Sequence, residues 1–445
     1  MKNINKIKAF LKNFISEHQA LKKLLIKTFK VCHLYKREYL NSRRPLYEKL
    51  YLTNSNSKII YFDITSMVMA DNNAGIQRAM KIMLQLLTQK YNDQFLLVPI
   101  YFYRGFCYCS YHYAKTYNNT QLLNLIQSDL YVDNLIPGSI FLRIDINFAI
   151  SKSLNLSKWF LAQKNNGVFL VQIIHDLIPI VYPEFSEEEY ALEFIQELKA
   201  TSACFDLSIA VSKTIMLEYQ EWLISERVFN NMQINWLHWG SDIENYKSHY
   251  KNIIEEEEFT LATNEYFLMV SRIEPRKDYN IVIDAFSHLW ANGYTKSLII
   301  VGTEVFKTVK LIKKIKSHPL LNKKLFWLNQ GVSDSKLTLL YANARAFIMA
   351  SQVEGFGLGV VEAAKYRKPL ILRDIPVFRE IAKDNAYYFN ANNGHDLANE
   401  ISKWENLYNK NVHPKSENFN HITWEQSCDN LINIINIHKD SSTLL

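Results

Sequence analysis

Cysteine, proline and glycine are scarce in this chain of 445 residues, with five, ten and 12 copies. Cys32, Cys107, Cys109, Cys204 and Cys428 form an odd, scattered set, which excludes a disulfide framework. Cys107 and Cys109 are the one close pair, and C-x-C alone is a poor metal signal, so the thiols read as reduced. No low-complexity tract or short repeat occurs, and no run of eighteen apolar residues that would read as a membrane span. What remains is globular in character, 48% hydrophobic and 21% charged, and too long for one ordinary core.

The net charge of +7 is unevenly spread. Residues 1–50 hold ten Lys and three Arg against three Glu, a surplus of ten, which leaves −3 for the rest. Basic character confined to a segment argues against a broad nucleic-acid surface. Within it Ile4, Ile7, Leu11, Phe14, Ile15, Leu21 and Leu25 recur at helical spacing with lysines between them. Those lysines interrupt every apolar run, so the segment reads as neither a signal peptide nor a span. It reads as a basic amphipathic helix, with residues 1–30 lying on an anionic membrane or packing on protein. On such a membrane each basic residue contributes about 1 kcal/mol.

From Lys58 short apolar runs alternate with longer amphipathic ones. Strands are expected at 58–64, 95–101, 139–144, 168–174, 206–211 and 233–237, and helices at 75–89, 187–203 and 213–224. Residues 247–265 are polar, acidic and aperiodic, and read as a linker. The alternation then restarts with YFLMVS, SLIIVG, LFWLNQ, AFIMA, PLILR and AYYFN, separated by helices near 279–291, 304–316, 335–344, 359–367 and 396–408. The chain therefore reads as α/β, with two doubly wound Rossmann-like domains at 58–246 and 262–425, a basic extension at 1–50 and a closing helix at 426–445. Such sheets bind ligands at the carboxyl ends of their strands, and the cleft between the domains is the expected site. Residues 102–137, rich in Tyr and Asn, have no assignment.

Two segments carry chemistry. EGFGLGVVE (354–362) follows the strand AFIMA and precedes a helix. Its glycines let the backbone turn or approach a ligand, and the helix start near Gly357 and Leu358 offers amides to an anion. Glu354 on the loop and Glu362 a turn into the helix can each accept hydrogen bonds from sugar hydroxyls, charge-assisted bonds of about 1.5–3 kcal/mol. The plainer alternative is that the glycines pack helix on strand and both glutamates are solvated. SRIEPRKD (271–278) occupies a second strand–helix corner, where Arg272 and Lys277, with Arg276 as a further cation, suit a diphosphate.

With these motifs in place the chain resembles the retaining glycosyltransferases of family 4. VSRIEPRKDYNIVIDAF, followed by GVSDSKLTLLYANARAFIMASQVEGFGLGVVEAAKYRKPLILRDIPVFREIA, looks like the carboxyl half of that family, with its E-(seven residues)-E signature intact as Glu354 and Glu362. The resemblance spans roughly 58–430 and implies a GT-B fold, two Rossmann-like domains facing a central cleft. It implies that Glu354 holds the donor sugar, that Glu362 holds the ribose, and that Arg272 and Lys277 grip the diphosphate. Backbone groups of Phe356, Gly357 and Leu358 would complete the donor pocket. DNNAGIQRAM (71–80) looks like the family's glycine-bearing loop, which would bring Gly75 near the donor. IIHDLIPIVYPEF (173–185) looks like its His-Asp segment, with His175 near the reaction centre. A helix cap and a structural histidine are the plainer readings of those two residues.

The resemblance implies transfer of a sugar with retention, by a front-face route in which the leaving diphosphate helps deprotonate the acceptor. Positioning and charge stabilisation would then be the protein's work. No D-x-D occurs, and neither metal nor other cofactor is expected. GIQR, HDLIP, IEPRKD and RDIPVFRE look most like mannosyltransferases of bacterial surface polysaccharide assembly using GDP-mannose, with UDP- or dTDP-sugars as the alternative. The expected partners are a nucleotide sugar and a saccharide or lipid-linked saccharide, with no nucleic acid. The expected location is the cytoplasm, peripheral on the inner membrane face. A nucleotide-sugar epimerase of the same fold and a non-catalytic scaffold are the competing readings.

Overall fold

The computed structural model describes residues 50, 58–69, 71, 75–103, 106–145, 156–228, 231–242, 265–305, 307–330 and 332–442. The basic amphipathic segment at 1–30 and nearly all of the linker at 247–265 lie outside the described residues.

Two sheets form, as the two alternating halves require. The first has eight strands: β1 (Lys58–Asp63), β2 (Phe95–Tyr103), β3 (Phe106–Cys109), β4 (Leu130–Val132), β5 (Ile140–Arg143), β6 (Phe169–Ile174), β7 (Leu207–Ala210) and β8 (Gln233–Trp236). Their order is β4-β3-β2-β1-β5-β6-β7-β8. Five strands run parallel from β1 outward through β8, and β2 joins them parallel on the other side. Residues 102–137 complete the sheet rather than interrupting it. They supply β3 and β4, paired antiparallel, and two short helices, Tyr111–Thr116 and Thr120–Leu123. Cys107 and Cys109 lie in β3, buried and free, with thiol pKa values pushed well up by burial.

The second sheet is wholly parallel: β9 (Tyr266–Val270), β10 (Ser297–Val301), β11 (Leu325–Leu328), β12 (Ala346–Met349), β13 (Leu370–Arg373) and β14 (Ala386–Phe389), in the order β11-β10-β9-β12-β13-β14. The inner strands are apolar on both faces, since helices cover both sides. The order reverses between β9 and β12, which pair through Ala346–Phe267 and Phe347–Leu268. Ligands of open α/β sheets bind at such a switch point, and the corners carrying SRIEPRKD and EGFGLGVVE leave the sheet there.

One expected helix is shorter than its sequence suggests. The helix expected at 304–316 is Val309–Lys316. The residues before it pair with the β9 corner instead, through Ile273 N to Thr303 O at 2.9 Å and Val305 N to Ile273 O at 3.2 Å. That pairing fixes the loop bearing Arg272.

The last helix, Trp424–Ser442, packs on the first half. Trp424 N donates to Asp242 Oδ1 at 2.6 Å, Ser427 Oγ to the His238 carbonyl at 2.8 Å, and Lys90 pairs with Asp429 at 2.7 Å. Trp239 stacks on Trp424 with centroids 5.6 Å apart, so one apolar core runs from the first half into the second. Among the described residues no helix is long and apolar enough to cross a membrane.

Candidate functional site

Glu354 sits in the turn between β12 and the helix Leu358–Lys365, and it is buried rather than solvated. Its Oε1 accepts from Ser351 Oγ at 2.7 Å and from Lys277 Nζ, and its Oε2 accepts from Arg276 Nη1 at 2.9 Å. Burial alone would raise the carboxyl pKa, but Lys277 and Arg276 overcome it and hold the group at about 2. Lys277 is also buried, and burial together with Arg276 makes its proton easier to lose than that of an exposed lysine. Arg276 stays charged despite burial, because Glu354 and Glu274 outweigh the desolvation.

Arg276 is thus a main partner of Glu354, and its Nε also meets Glu274 at 2.9 Å. The sequence marked it only as a further cation. Arg272 stands apart, with its side chain 40% exposed and Nε 3.7 Å from Glu274.

Glu362, one turn into the helix, is buried as well. Tyr341 Oη donates to its Oε2 at 2.9 Å, and Arg78 Nη2 donates to Oε1. Burial pushes the Glu362 carboxyl pKa up, with Arg78 and Tyr341 opposing. Two buried, partnered glutamates exclude the reading in which both are solvated. Neither Arg78 nor Tyr341 was singled out from sequence. Arg78 stands in the quoted GIQR, three residues after Gly75, whereas Tyr341 had no local signal.

The glycines divide their work. Gly357 opens the helix at φ +93°, in the left-handed region, with no side-chain cap, so the amides that follow have no capping side chain over them. Gly355 lets the halves touch. A Cβ there would lie 1.9 Å from the His175 carbonyl oxygen, and its own carbonyl accepts from Ser212 Oγ at 2.9 Å. Phe356 is buried, with its ring 5.3 Å from that of His238. Gly75 begins the helix Gly75–Lys90, and its Cβ position lies 3.1 Å from Leu358 Cδ1.

His175 follows β6, and its Nε2 lies 2.8 Å from the Ile144 carbonyl. A carbonyl can only accept, so Nε2 carries the proton and Nδ1 is the acceptor of the neutral ring. Burial lowers the His175 pKa against the opposing charge of Asp145, which keeps that neutral form. The carboxyl edge of the first sheet carries further buried charge, with Arg143 3.2 Å from Glu197 and 3.9 Å from Asp63.

A second bridge spans the halves. Glu380 accepts from the amides of Lys213 and Thr214 at 2.7 and 2.8 Å, from Thr214 Oγ1 at 2.6 Å, and lies 2.7 Å from His238 Nε2. Burial works against its charge, yet these bonds hold its pKa at about 2. The contacts of Gly355 with His175, of Gly75 with Leu358 and of Arg78 with Glu362 thus bring the corner of Glu354 and Glu362 against the loops that carry His175 and Gly75.

This architecture defines the GT-B class. Solved structures share the fold: Anabaena HepE in complex with UDP and glucose (TM-score 0.52, 15% identity, 87% of this chain and 98% of that one). A glycosyltransferase from Rickettsia africae superposes similarly (TM-score 0.55, 16% identity, 86% and 99%). Residues 251–421 match the family "Glycosyl transferases group 1", so the chain carries a domain of that group. The serotype-specific mannosyltransferase WbdA of Escherichia coli is 33% identical over 387 residues, 85% of this chain and 45% of WbdA. The O-antigen chain mannosyltransferase RfbU of Salmonella typhimurium is 27% identical over 239 residues, 53% of this chain and 60% of RfbU. The chain thus spans about half the length of the WbdA proteins it matches.

Proposed function

We propose that this protein is a retaining glycosyltransferase that moves mannose from GDP-mannose to a saccharide or lipid-linked saccharide in bacterial surface polysaccharide synthesis. The observation that carries the reading is the constellation at the switch point of the second sheet, where Glu354 and Glu362 lie buried among Lys277, Arg276 and Arg78. Mannose is favoured by the names of WbdA and RfbU.

In this proposal Glu362 holds the ribose, Glu354 orients the sugar, and Arg272 and Lys277 stabilise the departing diphosphate. The amides after Gly357 add neutral donors at the same place. His175, neutral and oriented by the Ile144 carbonyl, presents Nδ1 to the sugar side. No step requires a metal, so transfer should persist in EDTA. A lipid-linked acceptor would bring residues 1–30 against an anionic membrane on its cytoplasmic face.

The test is a thermal-shift panel of GDP, UDP, dTDP, ADP and CMP with their sugar conjugates, followed by product analysis with the ligand that binds. A ligand at a hundred times its dissociation constant adds about 2.7 kcal/mol to folded stability. Stabilisation by GDP and GDP-mannose with an α-mannosyl product bears the proposal out. A shift with UDP or dTDP alone removes mannose from it, an isomerised donor makes the protein an epimerase, and no shift with any nucleotide removes the transferase.

A further inference from the structure

We propose that Arg78 is a displaceable cation of the nucleotide site, which holds Glu362 while the site is empty and passes to the diphosphate when a ribose takes Glu362. The inference rests on the reading of Glu362 as the ribose-holding carboxylate.

Three observations carry it. Arg78 belongs to the first half and Glu362 to the second, and their ion pair joins a side chain 28% exposed to one 3% exposed. The Glu362 oxygens are both taken, Oε1 by Arg78 and Oε2 by Tyr341. Each oxygen can accept a further bond, so ribose hydroxyls that reach the carboxylate compete with these two partners rather than meeting a bare anion. Arg78 is the more exposed of the two, Tyr341 being fully buried, so Arg78 is the one that yields.

The guanidinium is also underused where it stands. Its Nε is buried and has no hydrogen-bond partner among the described residues. Arginine fixed on a carboxylate commonly uses its planar fork in two parallel bonds. Here only Nη2 donates to the carboxylate.

The helix register supplies the destination. Gly75 and Leu358, each the first residue of its helix, approach each other, and Arg78 and Glu362 meet about one turn further along. One helical turn is about 5.4 Å. The guanidinium therefore lies roughly that far from the uncapped start of Leu358–Lys365, the expected seat of the diphosphate. A rotamer change of a long side chain covers this distance, and the cation leaving Glu362 remains available to the incoming anion.

The experiment compares nucleoside with nucleoside diphosphate binding by calorimetry, using guanosine against GDP and uridine against UDP, in wild type, Arg78→Met and Arg78→Lys. Removing the competitor for Glu362 should tighten the nucleoside, and removing the phosphate partner should weaken the diphosphate, each by roughly tenfold or more in Arg78→Met. Arg78→Lys retains charge without the fork and should lie between, and it carries the comparison if Arg78→Met does not fold. Equal tightening of both ligands would overturn the transfer to phosphate. Unchanged affinities for both would overturn displacement altogether. Failure of wild type to bind any of the four ligands overturns the ribose reading itself, and it appears before any substitution is made.

Discussion

The substitution Glu354→Gln tests the charge balance of the site most directly. It keeps the shape of the side chain and removes the one carboxylate that Lys277 and Arg276 share. Glu354 titrates at about 2 instead of its ordinary 4.5. At 1.36 kcal/mol per pKa unit, that depression is worth about 3 kcal/mol. The figure matches the 3–5 kcal/mol or so typical when one partner of a buried ion pair is removed. For a unit the size of the second half, about 1 kcal/mol moves the midpoint by roughly 2–4 °C, so Glu354→Gln should melt roughly 6–12 °C below wild type at pH 7. The pH dependence has a fixed sign. A carboxyl depressed in the folded state contributes fully above its unfolded value and loses the contribution as pH falls through the folded one. The gap between wild type and Glu354→Gln should hold above pH 4.5 and narrow toward pH 2. Melting curves by circular dichroism from pH 7 to pH 3 measure it. A variant melting with wild type at pH 7, or a gap that ignores pH, would refute the reasoning.

Glu362→Ala should weaken GDP binding by about tenfold or more, since a charge-assisted bond to ribose is lost; equal affinity by calorimetry would sink the assignment to the ribose. Glu380→Ala removes the acceptor for two amides and a hydroxyl across the halves, and should lower the urea midpoint by the equivalent of about 1.5–3 kcal/mol. An unchanged midpoint would mean that this bridge contributes nothing to closure. A chain lacking residues 1–30 should no longer sediment with phosphatidylserine vesicles, and retained binding would remove the membrane role from that segment.

Much of the fold was legible because parallel strands in a covered sheet leave short apolar runs, and such runs point to twelve of the fourteen strands among the described residues. The two missed, β3 and β4, have four and three residues. Their alternation is too short to separate from the surrounding Tyr-rich stretch. Residues 304–308 run directly into the helical segment that follows, but Thr303 and Val305 are recruited by Ile273, which no local pattern announces. The buried clusters of the candidate site were legible in part, at Glu354, Glu362 and Lys277, where a motif marks them. It was illegible where the partner lies far along the chain. Tyr341 is 21 residues from Glu362 and Arg78 is 284, and strand order rather than sequence brings them together.

The candidate site balances its charges internally: Glu354 against Lys277 and Arg276, Glu362 against Arg78, Glu380 against a helix start and His238. On the proposed function a nucleotide sugar meets no bare carboxylate there, and every hydroxyl it brings to a glutamate competes with a partner already bound. Recognition is then an exchange, and its net free energy is the difference between two sets of charge-assisted bonds. The exception is Arg272, 40% exposed and 3.7 Å from its nearest carboxylate, which can meet a diphosphate without first losing a strong bond. Association should therefore begin at Arg272, where a partly exposed cation steers an anion. Exchange at Lys277 and Arg78 follows. Arg272→Gln should accordingly slow GDP association and flatten its salt dependence, whereas a substitution at Lys277 should act mainly on dissociation. If both variants changed only the dissociation rate, the order of events argued here would be wrong.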